Sequence, residues 1–286
     1  MTRCLFASDL HGSLERYRRL LAVLERERPD ALFLGGDLLP GLGVGPGEEA
    51  PPADFFGDFL LPELERLRRA LGPRTPRVLA ILGNDDPRSS EPGLRAGEDA
   101  GLLEYLHRRR TTLAGRDVYG YACVPPTPFR LKDFERYDVS RYVDPGCVSP
   151  EQGDRSVPAD PSDVRYGTIA GDLAELTGDR ELGEAVFLFH TPPYRTCLDR
   201  AALDGKLIDH VPLDVHVGSI AVRRLIEERG PALTLHGHVH EAPRLTGDFR
   251  DRLGRTRMLT AAHDGPELAL VRFELERPEH ATRELL

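Results

Sequence analysis

Five short apolar runs in this chain each end on a residue able to bind a metal, and that repeated junction restricts the fold more than any other feature. Cys4-Leu5-Phe6-Ala7-Ser8 leads to Asp9 and His11, residues 31–36 lead to Asp37, and residues 78–83 lead to Asn84. Further on, residues 185–189 lead to His190, and residues 232–235 lead to His236, His238 and His240. Runs of this length without polar alternation are expected to be strands buried on both faces.

Between the runs the apolar period changes. In residues 14–28, Leu14, Tyr17, Leu20, Leu21 and Leu24 make one helical face against Glu15, Arg18, Arg19, Glu25 and Arg26. Residues 59–71 repeat the stripe, and Ser219 can cap a helix through Val222, Leu225 and Ile226 that stops at Gly230. Strand and helix in alternation predict an α/β sheet. Ligands in open α/β sheets bind beyond the carboxyl ends of the strands, so the five polar clusters are expected to converge on one site. Residues 258–262 and 268–275 read as closing strands. Residues 40–54, 87–101 and 125–172 read as excursions. The last is expected to be a lid or specificity insertion within a single domain spanning 1–286.

The 38 basic and 47 acidic residues give a net charge of −9, which disfavours a surface built to coat nucleic acid, while leaving room for a local basic groove. Cys4, Cys123, Cys147 and Cys197 are scattered without C-x-x-C spacing and are expected to be reduced thiols. The apolar run after Met1 is too short for a secretory leader, and no stretch approaches the ~20 apolar residues of a membrane span. A cytoplasmic location is therefore expected.

Asp9, His11, Asp37, Asn84, His190, His238 and His240 combine oxygen and imidazole donors. That mixture suits manganese, iron, zinc, cobalt or nickel better than calcium, which prefers all-oxygen shells. Seven ligands exceed the need of one structural zinc. Two ions about 3.5–4 Å apart can activate water and hold the attacking and leaving oxygens of a phosphoryl displacement, provided one carboxylate bridges them.

The motifs Asp9-Leu10-His11, Gly36-Asp37, Gly83-Asn84-Asp85-Asp86, His190 and Gly237-His238-Val239-His240 occur in an order that resembles the calcineurin-like metallophosphoesterases. The family pattern is D-x-H, G-D, G-N-H-[DE], H and G-H-x-H, and the match spans Asp9 to His240. The resemblance implies an α/β fold, a four-layer αββα sandwich of two mixed β-sheets flanked by helices. It implies two divalent ions, manganese first among the candidates. Asp9, His11, Asp37 and His240 would hold the first ion and Asp37, Asn84, His190 and His238 the second, with Asp37 as the bridge. It further implies a metal-bridging hydroxide as nucleophile, no covalent intermediate and a small phosphate-ester substrate.

The chain departs from the pattern at Asp85, where the family usually has a histidine that contacts the phosphate and assists the leaving group. With Asn84, Asp85 is the candidate catalytic residue. An ionised carboxylate there would repel a phosphate monoester more than a diester, so a phosphodiester of the nucleotide or cyclic nucleotide class is the expected substrate. The competing reading is a protonated Asp85 acting as an acid. Arg195, Arg88 and His216 are candidate substrate contacts. His236 is expected to orient or pack, and His107 to be solvated on a helix beside Arg108, Arg109 and Arg110. Residues 129–137 mix aromatic and basic side chains and read as a packing face of the insertion or a base-stacking surface. Two alternatives to the enzyme reading are a scaffold of the same fold, favoured only by Asp85, and a metal-dependent nuclease, disfavoured by the net charge.

Overall fold

The computed structural model describes residues 1–41 and 49–286, so residues 42–48 of the expected 40–54 excursion lie outside the described residues. The chain opens with β1 (Arg3–Ala7), α1 (Leu14–Glu27), β2 (Ala31–Gly35), α2 (Leu61–Leu71), β3 (Arg77–Ile81), α3 (Glu91–Asp99) and β4 (Glu104–Tyr105). It continues with β5 (Arg109–Leu113), β6 (Arg116–Tyr121), α4 (Pro161–Tyr166), α5 (Ile169–Thr177) and β7 (Val186–Phe189). A small hairpin of β8 (Leu207–Ile208) and β9 (Val211–Pro212) precedes α6 (Ile220–Arg229), β10 (Leu233–His236) and α7 (Ala242–Thr246). The chain closes with β11 (Arg250–Leu253), β12 (Thr256–Thr260), β13 (Ala269–Glu274) and β14 (Arg277–Leu285).

These strands form two mixed six-stranded sheets, ordered β14-β13-β1-β2-β3-β4 and β11-β12-β10-β7-β6-β5. The expected buried strands are the parallel centres of both: Leu5 pairs with Leu32, Leu32 with Val78, and Leu235 with Leu188. Their side chains, Phe6, Phe33, Phe187 and Phe189 among them, are wholly buried, each worth roughly 1.5–3 kcal/mol relative to exposure. Helices flank the sheets, α1 packing on α2 and α5 on α6. The Ser13 hydroxyl caps α1 by accepting from the Arg16 N–H, and Arg28 ends the helix at φ 49° with its N–H returned to the Leu24 carbonyl. No helix among the described residues is long and apolar enough to cross a membrane, and all four cysteines are free.

Two local expectations need correction. Residues 87–101 are not an irregular excursion: Arg88–Ser90 is a 3-10 turn and α3 follows. Pro92 falls in the first turn, where its missing N–H costs nothing, and Gly97 lets the helix approach Leu61, which a Cβ would meet at 2.6 Å. His107 is not helical, and it is half-buried rather than solvated. Its Nδ1 accepts the Ala122 N–H at 3.0 Å and its ring sits edge-on to Phe134 at 5.3 Å. Burial and the charges of Arg88, Arg108 and Arg136 push its pKa well below the ordinary histidine value. Arg109 and Arg110 lie on β5, an edge strand, where charged side chains discourage further pairing.

The 125–172 segment is built around a buried ion pair. Lys132 and Glu135 are fully enclosed against each other; Lys132 also donates to the Thr127 carbonyl at 3.0 Å, and Glu135 accepts from the Thr127 N–H and hydroxyl at 2.7 and 2.6 Å. Lone buried charges are costly, so each of these carboxylate and ammonium contacts is needed. Asp138 then reaches α6, accepting from the Ser219 hydroxyl and the Ile220 and Ala221 N–H groups. The segment is thereby fastened to a scaffold helix.

Candidate metal centre

The polar clusters meet where the carboxyl ends of β1, β2 and β3 in one sheet face those of β7 and β10 in the other. Hydrogen bonds stitch the two ends together. His190 Nδ1 lies 2.8 Å from the Gly35 carbonyl and the His238 N–H donates to Asp9 Oδ1 at 2.9 Å, while within the second sheet the Gly237 N–H donates to the His190 carbonyl at 2.9 Å. Within the first sheet, Asp9 N–H donates to the Gly36 carbonyl and His11 N–H to that of Asp37.

Four of the seven ligand candidates, Asp9, His11, Asp37 and His238, have φ between 46° and 73°. Side chains other than glycine rarely adopt that region, and each such residue costs on the order of 1 kcal/mol or more. The backbone turns sharply after β1, β2 and β10 and directs those side chains towards one point.

There, single donor atoms of Asp9, His11, Asp37 and His240 all lie within 4.8 Å of one another. His11 Nε2 is 3.2 Å from His240 Nε2, and His240 Nε2 is 3.3 Å from Asp9 Oδ1. Beside them, His190 Nε2 is 3.2 Å from Asp37 Oδ2 and 3.1 Å from Asn84 Oδ1, and the His238 ring centre is 5.2 Å from that of His190. Asp37 Oδ2 also lies 4.0 Å from His11 Nε2, so this carboxylate belongs to both groups. The chain offers no room for larger backbone here: a Cβ on Gly83 would sit 2.2 Å from Asp37 Oδ1, and one on Gly36 2.6 Å from His190 Nδ1.

The electrostatics of this donor set fit cations. Burial alone would raise the carboxyls, but the hydrogen bond and charge of His240 hold Asp9 far below its ordinary value, and the charge and hydrogen bond of His190 bring Asp37 to about 2. Burial would lower His190 and His240, yet Asp37 lifts the first to about 10 and Asp9 lifts the second to about 9. His238 goes the other way, to about 3, through burial and the charge of His190. Protons on two imidazoles stand in for the positive charge that the buried carboxylates demand, and divalent ions would satisfy the same demand.

Asp85 stands at the mouth, its side chain 39% exposed, with Oδ2 3.8 Å from His11 Nδ1. Its N–H donates to Asp37 Oδ1, and its Oδ1 accepts from the Asn84 amide nitrogen, both at 2.9 Å. That second bond leaves the Asn84 amide oxygen turned towards His190. Burial, then the charge of Asp37, raises the Asp85 pKa. Asp86 is buried behind the site and accepts the N–H groups of Leu38, Leu39 and Gly83 at 2.8–3.0 Å, fixing the β2 and β3 loops to each other. His236 packs: Nδ1 meets the Thr191 carbonyl, Nε2 meets the Thr234 hydroxyl, and burial lowers its pKa to about 4.

The three expected substrate contacts are placed differently. The Arg88 guanidinium stacks 4.8 Å from the Phe134 ring centre, and the exposed Arg195 guanidinium lies 5.2 Å from that of Tyr194. Among the described residues neither side chain hydrogen-bonds a ligand candidate. His216 is held by Asp199, whose Oδ1 lies 2.8 Å from Nδ1. Asp199, fully buried, also accepts the N–H groups of Arg195, Thr196 and Gly218. Sequence reasoning missed Asp199 because the His216 ring and the Gly218 N–H are brought to it by the fold.

The profile of a family described as calcineurin-like phosphoesterase matches residues 2–242. None of the curated proteins compared matches the chain. Among solved structures, a protein of Thermus thermophilus aligns with TM-score 0.56 and 17% identity over 99% of this chain and 98% of its own. Another structure aligns with TM-score 0.61 and 16% identity over the same shares. A novel archaeal phosphodiesterase aligns over the whole of both chains with TM-score 0.47 and 8% identity.

Proposed function

The chain belongs to the calcineurin-like phosphoesterase family, and from that premise we propose that it hydrolyses small phosphodiesters of the nucleotide or cyclic nucleotide class with two divalent ions, manganese first. The observation that carries the diester preference is the Asp85 carboxylate at the mouth of the donor cluster.

Asp9, His11, Asp37 and His240 would hold one ion and Asp37, Asn84, His190 and His238 the other. Bound there, the ions supply Lewis-acid polarisation of a phosphoryl oxygen and a water acidic enough to attack near neutral pH. The chain's own residues set the geometry. Asp86 locks the loops that present Asp37 and Asn84, and Asp85 keeps the Asn84 oxygen facing inward. Asp85 also sets a charge filter. A monoester carries nearly one negative charge more than a diester, and one unit charge ~6 Å away costs about 3 kcal/mol at an effective dielectric near 20. Solvent at this half-open carboxylate reduces that to roughly 1 kcal/mol, about a fivefold preference. The four free thiols support a cytoplasmic location.

Asp85→Asn keeps an oxygen to accept from Asn84 and removes the charge. Turnover of para-nitrophenyl phosphate relative to its bis-aryl diester, measured in Mn²⁺, is expected to rise about fivefold; an unchanged ratio would remove the charge filter from the argument. If metal-stripped protein loaded with two Mn²⁺ per chain turns over neither ester, the phosphoesterase reading fails as a whole.

A further inference from the structure

Cleavage of an alkyl phosphodiester expels an alkoxide, and a proton delivered to that oxygen accelerates the step by about 10²–10⁴-fold. On the phosphodiesterase reading above, on which this inference rests, the ligand histidines are committed to metal and Asp85 to Asn84. The other histidines among the described residues are poorly placed for the task. His236 has both nitrogens occupied, and the half-buried His107 packs edge-on against Phe134 with Nδ1 bonded to Ala122. His263 Nε2 is bonded to Glu267, His210 lies in the β8–β9 turn, and His280 lies on the edge strand β14.

His216 differs in two respects. Its Nδ1 is held at 2.8 Å by a fully buried carboxylate, its side chain is 28% exposed, and no partner occupies Nε2 among the described residues. Its loop is also sewn to the loops that carry His190, His238 and His240. The Ser219 N–H donates to the Pro192 carbonyl and the Tyr194 N–H to that of Ser219, both at 2.9 Å. Gly218 presses so closely that a Cβ would lie 2.6 Å from the Pro192 oxygen. Val217 packs into the cluster containing Val239, the residue between His238 and His240. The Ala202 N–H donates to Glu241. A buried carboxylate fixing one ring nitrogen while the other keeps no protein partner in a part-exposed ring is the arrangement a proton-transfer histidine needs.

We propose that His216 is the catalytic residue that protonates the leaving oxygen, with Asp199 as its positioning residue. A water oxygen forms the new bond to phosphorus and yields its proton to solvent. The bond between phosphorus and the leaving oxygen breaks with its electron pair, and that oxygen takes the proton from Nε2, which solvent later replaces.

The test compares His216→Asn with the natural chain on two diesters of one nucleoside 5′-phosphate. One ester has para-nitrophenolate as leaving group, which departs without help; the other is a dinucleoside phosphate with an alkoxide leaving group. The Asn amide can still donate to Asp199 but offers no proton to the substrate. The dinucleoside phosphate is expected to lose about a hundredfold in kcat and the aryl ester no more than about threefold, with Mn²⁺ per chain unchanged. Equal losses on both esters, no loss on either, or a fall in bound Mn²⁺ would each overturn the assignment while leaving the phosphodiesterase reading intact. A natural chain that cleaves neither ester would overturn that reading and this one with it.

Discussion

Asp37→Asn is expected to lower kcat/KM by about a thousandfold or more, roughly 4 kcal/mol of transition-state stabilisation, and to reduce bound Mn²⁺ to less than one ion per chain. Asp37 is the one carboxylate shared by the two donor groups, at 3.2 Å from His190 Nε2 and 4.0 Å from His11 Nε2. An amide has the same shape and can still accept the Asp85 N–H that Asp37 Oδ1 accepts at 2.9 Å, so the loop has no reason to collapse. What the change removes is the negative charge that two cations would share. Metal content by atomic emission, read beside far-ultraviolet dichroism to verify folding, decides the matter. A folded Asn variant that binds two ions and turns over within tenfold of the natural chain would show that Asp37 does not bridge.

Metal uptake is expected to release about two protons per chain near pH 7, and the combined affinity for two ions to rise about a hundredfold per pH unit over the range below pH 9. In the metal-free protein, His190 and His240 are raised to about 10 and about 9 by Asp37 and Asp9 against the effect of burial. Both therefore hold protons at neutral pH, and each must surrender one before a ring nitrogen can bind an ion. Raising the pH empties these sites and assists binding until the folded-state values are passed. The sign for metal-free stability is the reverse. Groups raised above their unfolded values stabilise fully below about 6.5, and that contribution disappears as pH climbs through 9 to 10. Calorimetric titration with Mn²⁺ in buffers of different ionisation enthalpy counts the protons directly. A count near zero, with affinity flat between pH 6 and 8, would mean that the imidazoles are already neutral before metal arrives.

The parts of this molecule that were legible in the sequence are those written locally. The strands around Phe6, Phe33, Leu79, Phe187 and Leu235 are continuous apolar runs buried on both faces, and each stops at a candidate donor residue, so strand and candidate site are legible in the same few letters. Helix α1 was legible from its stripe and its Ser13 cap. Other elements resisted for physical reasons. Strands β5 and β14 lie at sheet edges and carry Arg109, Arg110, Arg277, Glu279 and Glu284, charges that suit an edge and erase the apolar signal of a strand. Helix α3 contains Pro92 and Gly93, which read as turn formers until one sees that the proline occupies the first turn. Asp138 accepts backbone N–H groups from residues far along the chain, and Asp199 joins its own turn to Gly218 and His216, and no spacing rule announces such meetings. The positive φ values at Asp9, His11, Asp37 and His238 were equally hidden, because aspartate and histidine adopt that region more readily than most side chains but only where tertiary context imposes it.

Because the donors come from both sheets, the centre is also a mechanical tie across one end of the sandwich. Without ions, the ends of β2 and β7 are joined by contacts such as His190 to Gly35, and those of β1 and β10 by bonds such as His238 to Asp9. Ions that bind the folded chain and not the unfolded one add their binding free energy to its stability. Metal shortage in a cell is thus expected to shorten the lifetime of the polypeptide as well as silence it, by exposing sheet edges to proteolysis and leaving fewer copies to reactivate when metal returns.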